Sequence, residues 1–134
     1  MVKAIEKKYV LPFPLEQVYQ AWVSSDTVIP PATAMDIDPV AGGHYRLIME
    51  SPEFSARSEG VFSRVEPNQR LTYSWEWNGD GEVSEIDVVF TQHPDGTVIS
   101  LTHSGFEKEQ SRDMHATGWD SYAEGLTRHL EAQT

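Results

Sequence analysis

Residues 71–77, Leu-Thr-Tyr-Ser-Trp-Glu-Trp, alternate strictly between large apolar and polar side chains. Successive side chains of a β-strand point to opposite faces, so the leucine, the tyrosine and both tryptophans share one face. One apolar and one polar face are typical of an antiparallel strand that covers a core on one side only. This stretch therefore predicts a sheet with another element packed against its aromatic face.

The segments on either side of this strand show the same period of two. Turn sequences at 67–70, 78–81 and 93–96 separate them, and Gly42-Gly43 precedes the first. Short strands joined by such turns predict antiparallel hairpins, with a further strand around 57–66. The inward-facing positions of the other strands are Tyr45, Leu47, Met49, Ile86, Val88, Phe90, Ile99, Leu101 and His103.

Helical periodicity appears near both ends of the chain. A β-leaning segment at 2–11 is followed by apolar residues at helical spacing from Leu15 to Trp22, and the segment 24–31 suggests a short second turn. Residues 109–131 predict a long amphipathic helix, with Gly118 and Gly125 at the edge of its apolar arc. That arc consists of His115, Trp119, Tyr122, Leu126, His129 and Leu130.

These elements predict one α+β domain spanning residues 1–134. Its curved antiparallel sheet of about six to seven strands would wrap around the long C-terminal helix, with a short helix pair after the first strand. A chain of this length buries enough surface to fold without disulfides or metals.

Composition restricts the classes of function. The formal charge is −11, from 21 acidic and 10 basic residues, which disfavours nucleic acids and anionic membranes as partners. No signal peptide or membrane-spanning run is recognisable, and cysteine is absent, so we expect a cytoplasmic protein. No motif for a metal, a cofactor or covalent catalysis is present, so we assign no catalytic residue and expect no cofactor.

Four stretches carry a resemblance to a known family. They are PVAGGHYR at 39–46, GVFSRVEP at 60–67 continuing into RLTYSW at 70–75, LTHSGF at 101–106, and Gly118-Trp119 with Tyr122. With the predicted order of elements, they resemble the helix-grip fold of the START-like superfamily. Within it, the chain is similar to the family of the activator of heat-shock-protein ATPase. Family members usually carry tryptophans where this chain has residues 28–33, so the resemblance does not imply a particular ligand.

The resemblance implies a cavity between the sheet and the last helix. In the alternative, the aromatic rings fill that space, and His103 and His115 are hydrogen-bonded core residues. Gly118 and Gly125 would then allow close approach of helix and sheet. Arg46 and Arg57 are expected to pair with surface carboxylates. The candidate ligand-binding residues are Tyr45, Leu47, Met49, Tyr73, Trp75, Trp77, Phe90, His103, His115, Gly118, Trp119, Tyr122 and Leu126.

Our leading functional hypothesis is a non-catalytic module that binds a small apolar or aromatic molecule. The resemblance leaves two alternatives. One is a cyclase-, dehydratase- or hydrolase-like enzyme that uses a cavity histidine. The other is a chaperone-associated partner of the heat-shock ATPase activator type. Exposed sheet edges would also allow a homodimer.

Overall fold

The computed structural model describes residues 2–24, 34–50, 52, 55–77 and 81–132, except for the side chain of Met49. The elements follow one another as β1 (Ile5–Leu11), α1 (Leu15–Val23), β2 (Ala34–Ile37), β3 (His44–Glu50), β4 (Ser55–Glu66), β5 (Arg70–Trp77), β6 (Val83–His93), β7 (Gly96–Ser104) and α2 (Glu109–Ala132).

All seven strands form one antiparallel sheet in the order β1-β7-β6-β5-β4-β3-β2. The predicted α+β helix-grip architecture is confirmed. Helix α2 begins at the predicted residue and ends one residue after the predicted range of 109–131. Strand β5 lies in the middle, where Tyr73 pairs with Ile86 of β6 and Trp75 pairs with Ser84. The predicted aromatic strand is therefore at the centre of the inner face.

Strands β4 and β5 approach closely where β4 is irregular. A Cβ atom added to Gly60 would lie 2.0 Å from the backbone oxygen of Ser74, too close for any side chain. The register shifts between Phe62 and Arg64, as at a β-bulge. Tyr45 pairs with Gly60, and its hydroxyl donates to the Ser74 carbonyl. Glycine at position 60 therefore allows the close contact between the two strands.

Helix α1 packs on the sheet through the apolar stripe that the sequence predicts. Tyr19 and Trp22 are buried and contact the ring of Phe90 on β6 edge-on, with centroid distances of 5.3 and 5.8 Å. The predicted second helical turn at 24–31 lies outside the described residues except for Ser24.

Helix α2 is fixed at its start and along its length. Glu82 accepts hydrogen bonds from the backbone N–H groups of Glu107 and Lys108 at 2.8 and 3.1 Å. Burial alone would raise the pKa of Glu82, but these bonds, a further one from the Ser111 side chain and the charge of Lys108 hold that pKa below its usual value. Further along the helix, Asp120 accepts from Lys7 and Tyr9 of β1.

The outer face of the sheet carries the charged residues. Arg46 and Arg57 both pair with Glu59, at 3.3 and 3.7 Å, as predicted from the excess of carboxylates. None of the helices in the described part of the chain is long and apolar enough to cross a membrane.

Candidate functional site

Trp75 lies at the centre of a group of aromatic rings between β5 and α2. Its ring centroid lies 5.7 Å from that of His115, 6.0 Å from that of Trp119 and 6.5 Å from that of Trp77. The sheet and the helix are therefore in direct contact at this point. Any space for a ligand between sheet and helix must therefore lie away from this contact at Trp75.

A hydrogen bond joins Trp75 to the helix. The indole Nε1–H of Trp75 donates to Nε2 of His115 at 2.9 Å. The other ring nitrogen of His115 lies 2.7 Å from the backbone oxygen of Ser111, which can only accept, so Nδ1 carries the proton. Both nitrogens of this imidazole are occupied.

A second bond runs in the opposite direction, from the helix to the sheet. Trp119 Nε1–H donates to Nδ1 of His103 at 3.0 Å. His103 then carries its proton on Nε2 and donates to the Ser84 hydroxyl at 2.7 Å, and that hydroxyl donates to the carbonyl of Trp75. We call Trp75, Ser84, His103, His115 and Trp119 the indole–imidazole network.

Ser84 and His103 are close enough to suggest a nucleophile and its base, but the tautomer excludes that role. A serine nucleophile must give its proton to an unprotonated imidazole nitrogen. Here Trp119 occupies Nδ1, which leaves the proton on the nitrogen that faces Ser84. Both residues are also buried. The pair therefore supports the fold and does not activate the hydroxyl.

The environment of His103 makes stability depend on pH. Burial, and then the proximity of His115, lower the pKa of His103 to about 3. In the unfolded chain this pKa is about 6.5, so below that pH the unfolded state takes up a proton that the folded state does not. We expect the free energy of unfolding to fall as pH decreases below about 6.5, by up to about 1.4 kcal/mol per pH unit.

Urea unfolding at about pH 7.5 and about pH 5.5 checks this expectation, because most carboxylates stay ionised in that window. A His103→Gln variant should show a weaker pH dependence than the wild-type chain. Nitrogen-15 spectra of the imidazoles should show His103 with its proton on Nε2 and His115 with its proton on Nδ1. An imidazole of His103 that titrates near pH 6 would contradict the prediction.

Several predicted ligand-binding residues lie in the packed core. Leu126 and His103 have no exposed surface, and Phe90 lies beneath the rings of α1. Tyr45 and Tyr73 are also buried, with ring centroids 5.0 Å apart. These five side chains are buried among other core residues; for Tyr73 and His103, a core position was the alternative that the sequence left open.

Trp75 and Trp119 are buried in the indole–imidazole network, and the side chain of Met49 lies outside the described part of the structure. The other predicted residues lie where the inner face is only partly covered. Leu47 and Trp77 are partly buried, as is Ile37 of β2. On α2, His115 and Tyr122 are partly exposed, and the ring centroid of His115 lies 5.9 Å from that of Trp77. We call this region the open edge, formed by Ile37, Leu47, Trp77, His115, Gly118 and Tyr122.

Gly118 is exposed, and a Cβ atom added there would meet no atom within 4 Å. The explanation that Gly118 allows close approach of helix and sheet is therefore wrong. Gly125 is partly buried. The absence of a side chain at 118 leaves space between His115 and Tyr122, which are its neighbours on the helix surface.

Sequence reasoning missed Ser58 and Ser84, two serines buried on the inner face. Their position in the alternating pattern of β4 and β6 was the available signal, because each lies two residues from another inward-facing residue, Ala56 and Ile86 respectively. Hydropathy alone gives serine no preference for a core position.

A groove of about 430 Å³ lies on the opposite, outer face of the sheet. Its lining includes His44, Arg46, Glu59, Ser74, Glu76 and Val83. This mixed-charge surface differs from the apolar cavity that the sequence suggests. Within the described segments, no cluster of three His, Asp or Glu side chains is suited to hold a metal ion.

The curved antiparallel sheet with the long helix α2 packed on its inner face defines a helix-grip protein of the START-like type. The chain belongs to the family described as Activator of Hsp90 ATPase homolog 1-like protein, whose profile matches residues 12–131. The resemblance predicted from the sequence is thereby confirmed. No curated protein matches the chain significantly.

Solved structures with the same fold include MLL2253 from Mesorhizobium loti, with 19% identity, a TM-score of 0.84, and coverage of 98% of this chain and 99% of that protein. An AHSA1-like protein from Aeromonas hydrophila has 24% identity and a TM-score of 0.82, covering 98% and 94%. DynU16, a protein in the dynemicin biosynthetic locus, has 18% identity and a TM-score of 0.83, covering 98% of this chain and 48% of its own. The TM-scores show a shared fold.

Proposed function

We propose that this protein binds one small apolar or aromatic molecule at the open edge, between the inner face of the sheet and α2. The START-like fold is consistent with a ligand-binding module. The observation that carries the proposal is the partial exposure of Ile37, Leu47 and Trp77 on the face that elsewhere forms the core. Apolar side chains left open on a concave face are typical of ligand sites.

The chemistry of the open edge favours a flat, uncharged molecule. Trp77 and Tyr122 offer large aromatic faces, and rings stack favourably on such surfaces. Burial and the neighbouring Tyr73 raise the pKa of Tyr122, so its phenol stays protonated and neutral. The net charge of −11 disfavours anionic ligands.

The enzymatic alternative has less support. Each nitrogen of His103 and His115 already takes part in a hydrogen bond within the protein. A general base needs a free nitrogen within reach of the substrate. A binding module requires no such group. The absence of cysteine from all 134 residues fits a reducing compartment, and we propose a cytoplasmic location.

The neutral fluorescent probe N-phenyl-1-naphthylamine tests the proposal. Binding should increase its fluorescence and quench tryptophan emission by energy transfer from Trp77 and its neighbours. Gly118→Leu should weaken binding about tenfold or more, because the new side chain fills the space beside Tyr122. The same variant should be as stable as the wild-type chain or more stable, because glycine costs about 1 kcal/mol in a helix.

Two variants serve as controls. Gly118→Ala gains most of the helix propensity with little added volume and should bind nearly as well as the wild-type chain. Thr117→Leu places the same leucine side chain on the solvent side of α2, where Thr117 is exposed. Unchanged probe binding by a folded Gly118→Leu variant would exclude the open edge as the site. Native mass spectrometry of the purified protein would show any molecule that is retained from the cell.

A further inference from the structure

Ser58 is wholly buried on the inner face of β4, and its hydroxyl has no hydrogen-bond partner among the residues that the structure describes. A buried hydroxyl loses its hydration on folding and regains nothing unless it is paired, so such groups are rare in native proteins. Ser84, which is also buried on the inner face, bonds to both His103 and the Trp75 carbonyl. The unpaired hydroxyl of Ser58 therefore needs an explanation.

The location of Ser58 supplies one. In the sheet, Ser58 pairs with Leu47 on β3 and with Trp77 on β5. Both neighbours are partly exposed members of the open edge. The preceding inward-facing residue on β4 is Ala56, whose small side chain adds little bulk beside the hydroxyl. The hydroxyl thus lies between the two strand residues against which we place the ligand, and a ligand reaches it only when their side chains move aside.

We infer that Ser58 is the hydrogen-bonding anchor of this site, so that the protein selects molecules carrying a hydroxyl or carbonyl group on an apolar or aromatic body. This inference rests on the proposed function. A serine hydroxyl both donates and accepts, so it suits either group. A carboxylate fits poorly, because burying a charge without a paired cation is unfavourable.

Naphthalene and 2-naphthol form a suitable pair of probes, because they differ by one hydroxyl group. Each is titrated by competition against N-phenyl-1-naphthylamine. The wild-type chain should bind 2-naphthol about tenfold more tightly than naphthalene, the preference that one buried hydrogen bond confers. Ser58→Ala should remove that preference by weakening 2-naphthol binding while leaving naphthalene binding unchanged. Ser58→Cys, which carries a weak donor of similar size, should lose most of the preference for 2-naphthol.

The controls separate this inference from the proposed function. Ser55→Ala, at an exposed position of the same strand, should keep the preference for 2-naphthol. Ser58→Ala should remain as stable as the wild-type chain, whereas Ser84→Ala should be less stable because His103 loses its acceptor. If N-phenyl-1-naphthylamine and naphthalene bind but 2-naphthol has no advantage, Ser58 is not the anchor and the proposed function stands. If no probe binds, both are overturned.

Discussion

Replacing Trp119 by alanine is expected to lower the free energy of unfolding by about 3–5 kcal/mol, the range for large-to-small aromatic substitutions in a core. The ring of Trp119 stacks on that of Trp22 with a centroid distance of 6.1 Å, which joins the two helices. Its indole N–H also donates to His103, which would be left buried with an unpaired nitrogen. Because a domain of this size is stable by roughly 5–15 kcal/mol, this loss would leave little margin.

Urea unfolding followed by far-ultraviolet circular dichroism measures the effect without relying on tryptophan emission. Trp119→Phe keeps an aromatic ring but removes the donor, so it should cost about 1–3 kcal/mol. Ser121→Ala, at an exposed position two residues further along α2, is the matched control and should change stability by less than about 0.5 kcal/mol. A loss below about 1 kcal/mol for Trp119→Ala would show that the indole–imidazole network contributes little to holding α2 on the sheet.

Gly60→Ala is expected to destabilise the protein by about 1–3 kcal/mol, the range for overpacking. In an ordinary strand the same change would stabilise by up to about 1 kcal/mol, because alanine loses less conformational entropy than glycine. Here the added Cβ would lie 2.0 Å from the backbone oxygen of Ser74. The strands must separate to accommodate it, which disturbs the bond from Tyr45 to that oxygen.

Gly118→Ala is the matched control, because its Cβ meets no atom within 4 Å. Gly118→Ala should raise the midpoint of urea unfolding, and Gly60→Ala should lower it. A Gly60→Ala chain that is as stable as the wild type would mean that β4 and β5 do not approach as closely as described.

The strands and the long helix were predictable because their signals are local. Alternation at 71–77 identified the inward face of β5, and the apolar arc at 109–131 identified α2 to within a residue. The surface pairing of Arg46 was also predictable, since it requires only an outward position and an excess of carboxylates. The same local rules placed His103 and His115 between the sheet and the helix.

The roles of those histidines were not predictable from local rules. Whether an imidazole faces a ligand or a hydrogen-bond donor depends on residues that are distant in the sequence, such as Trp75 for His115 and Ser84 for His103. The position of Gly118 shows the same limit, because a helical glycine at the edge of an apolar arc fits both close packing and open space. Only the placement of α2 on the sheet distinguishes the two.

By itself, the sequence determined which side chains share a face, since the periods of strands and helices follow from backbone geometry alone. The tertiary structure decided which of those faces meet and which stay open. At Trp75 the rings of sheet and helix touch, whereas at Leu47 and Trp77 the inner face remains partly exposed. The distance between a curved sheet and its helix depends on all the pairings between strands. Those pairings join residues that are far apart in the sequence, so no local sequence pattern predicts that distance.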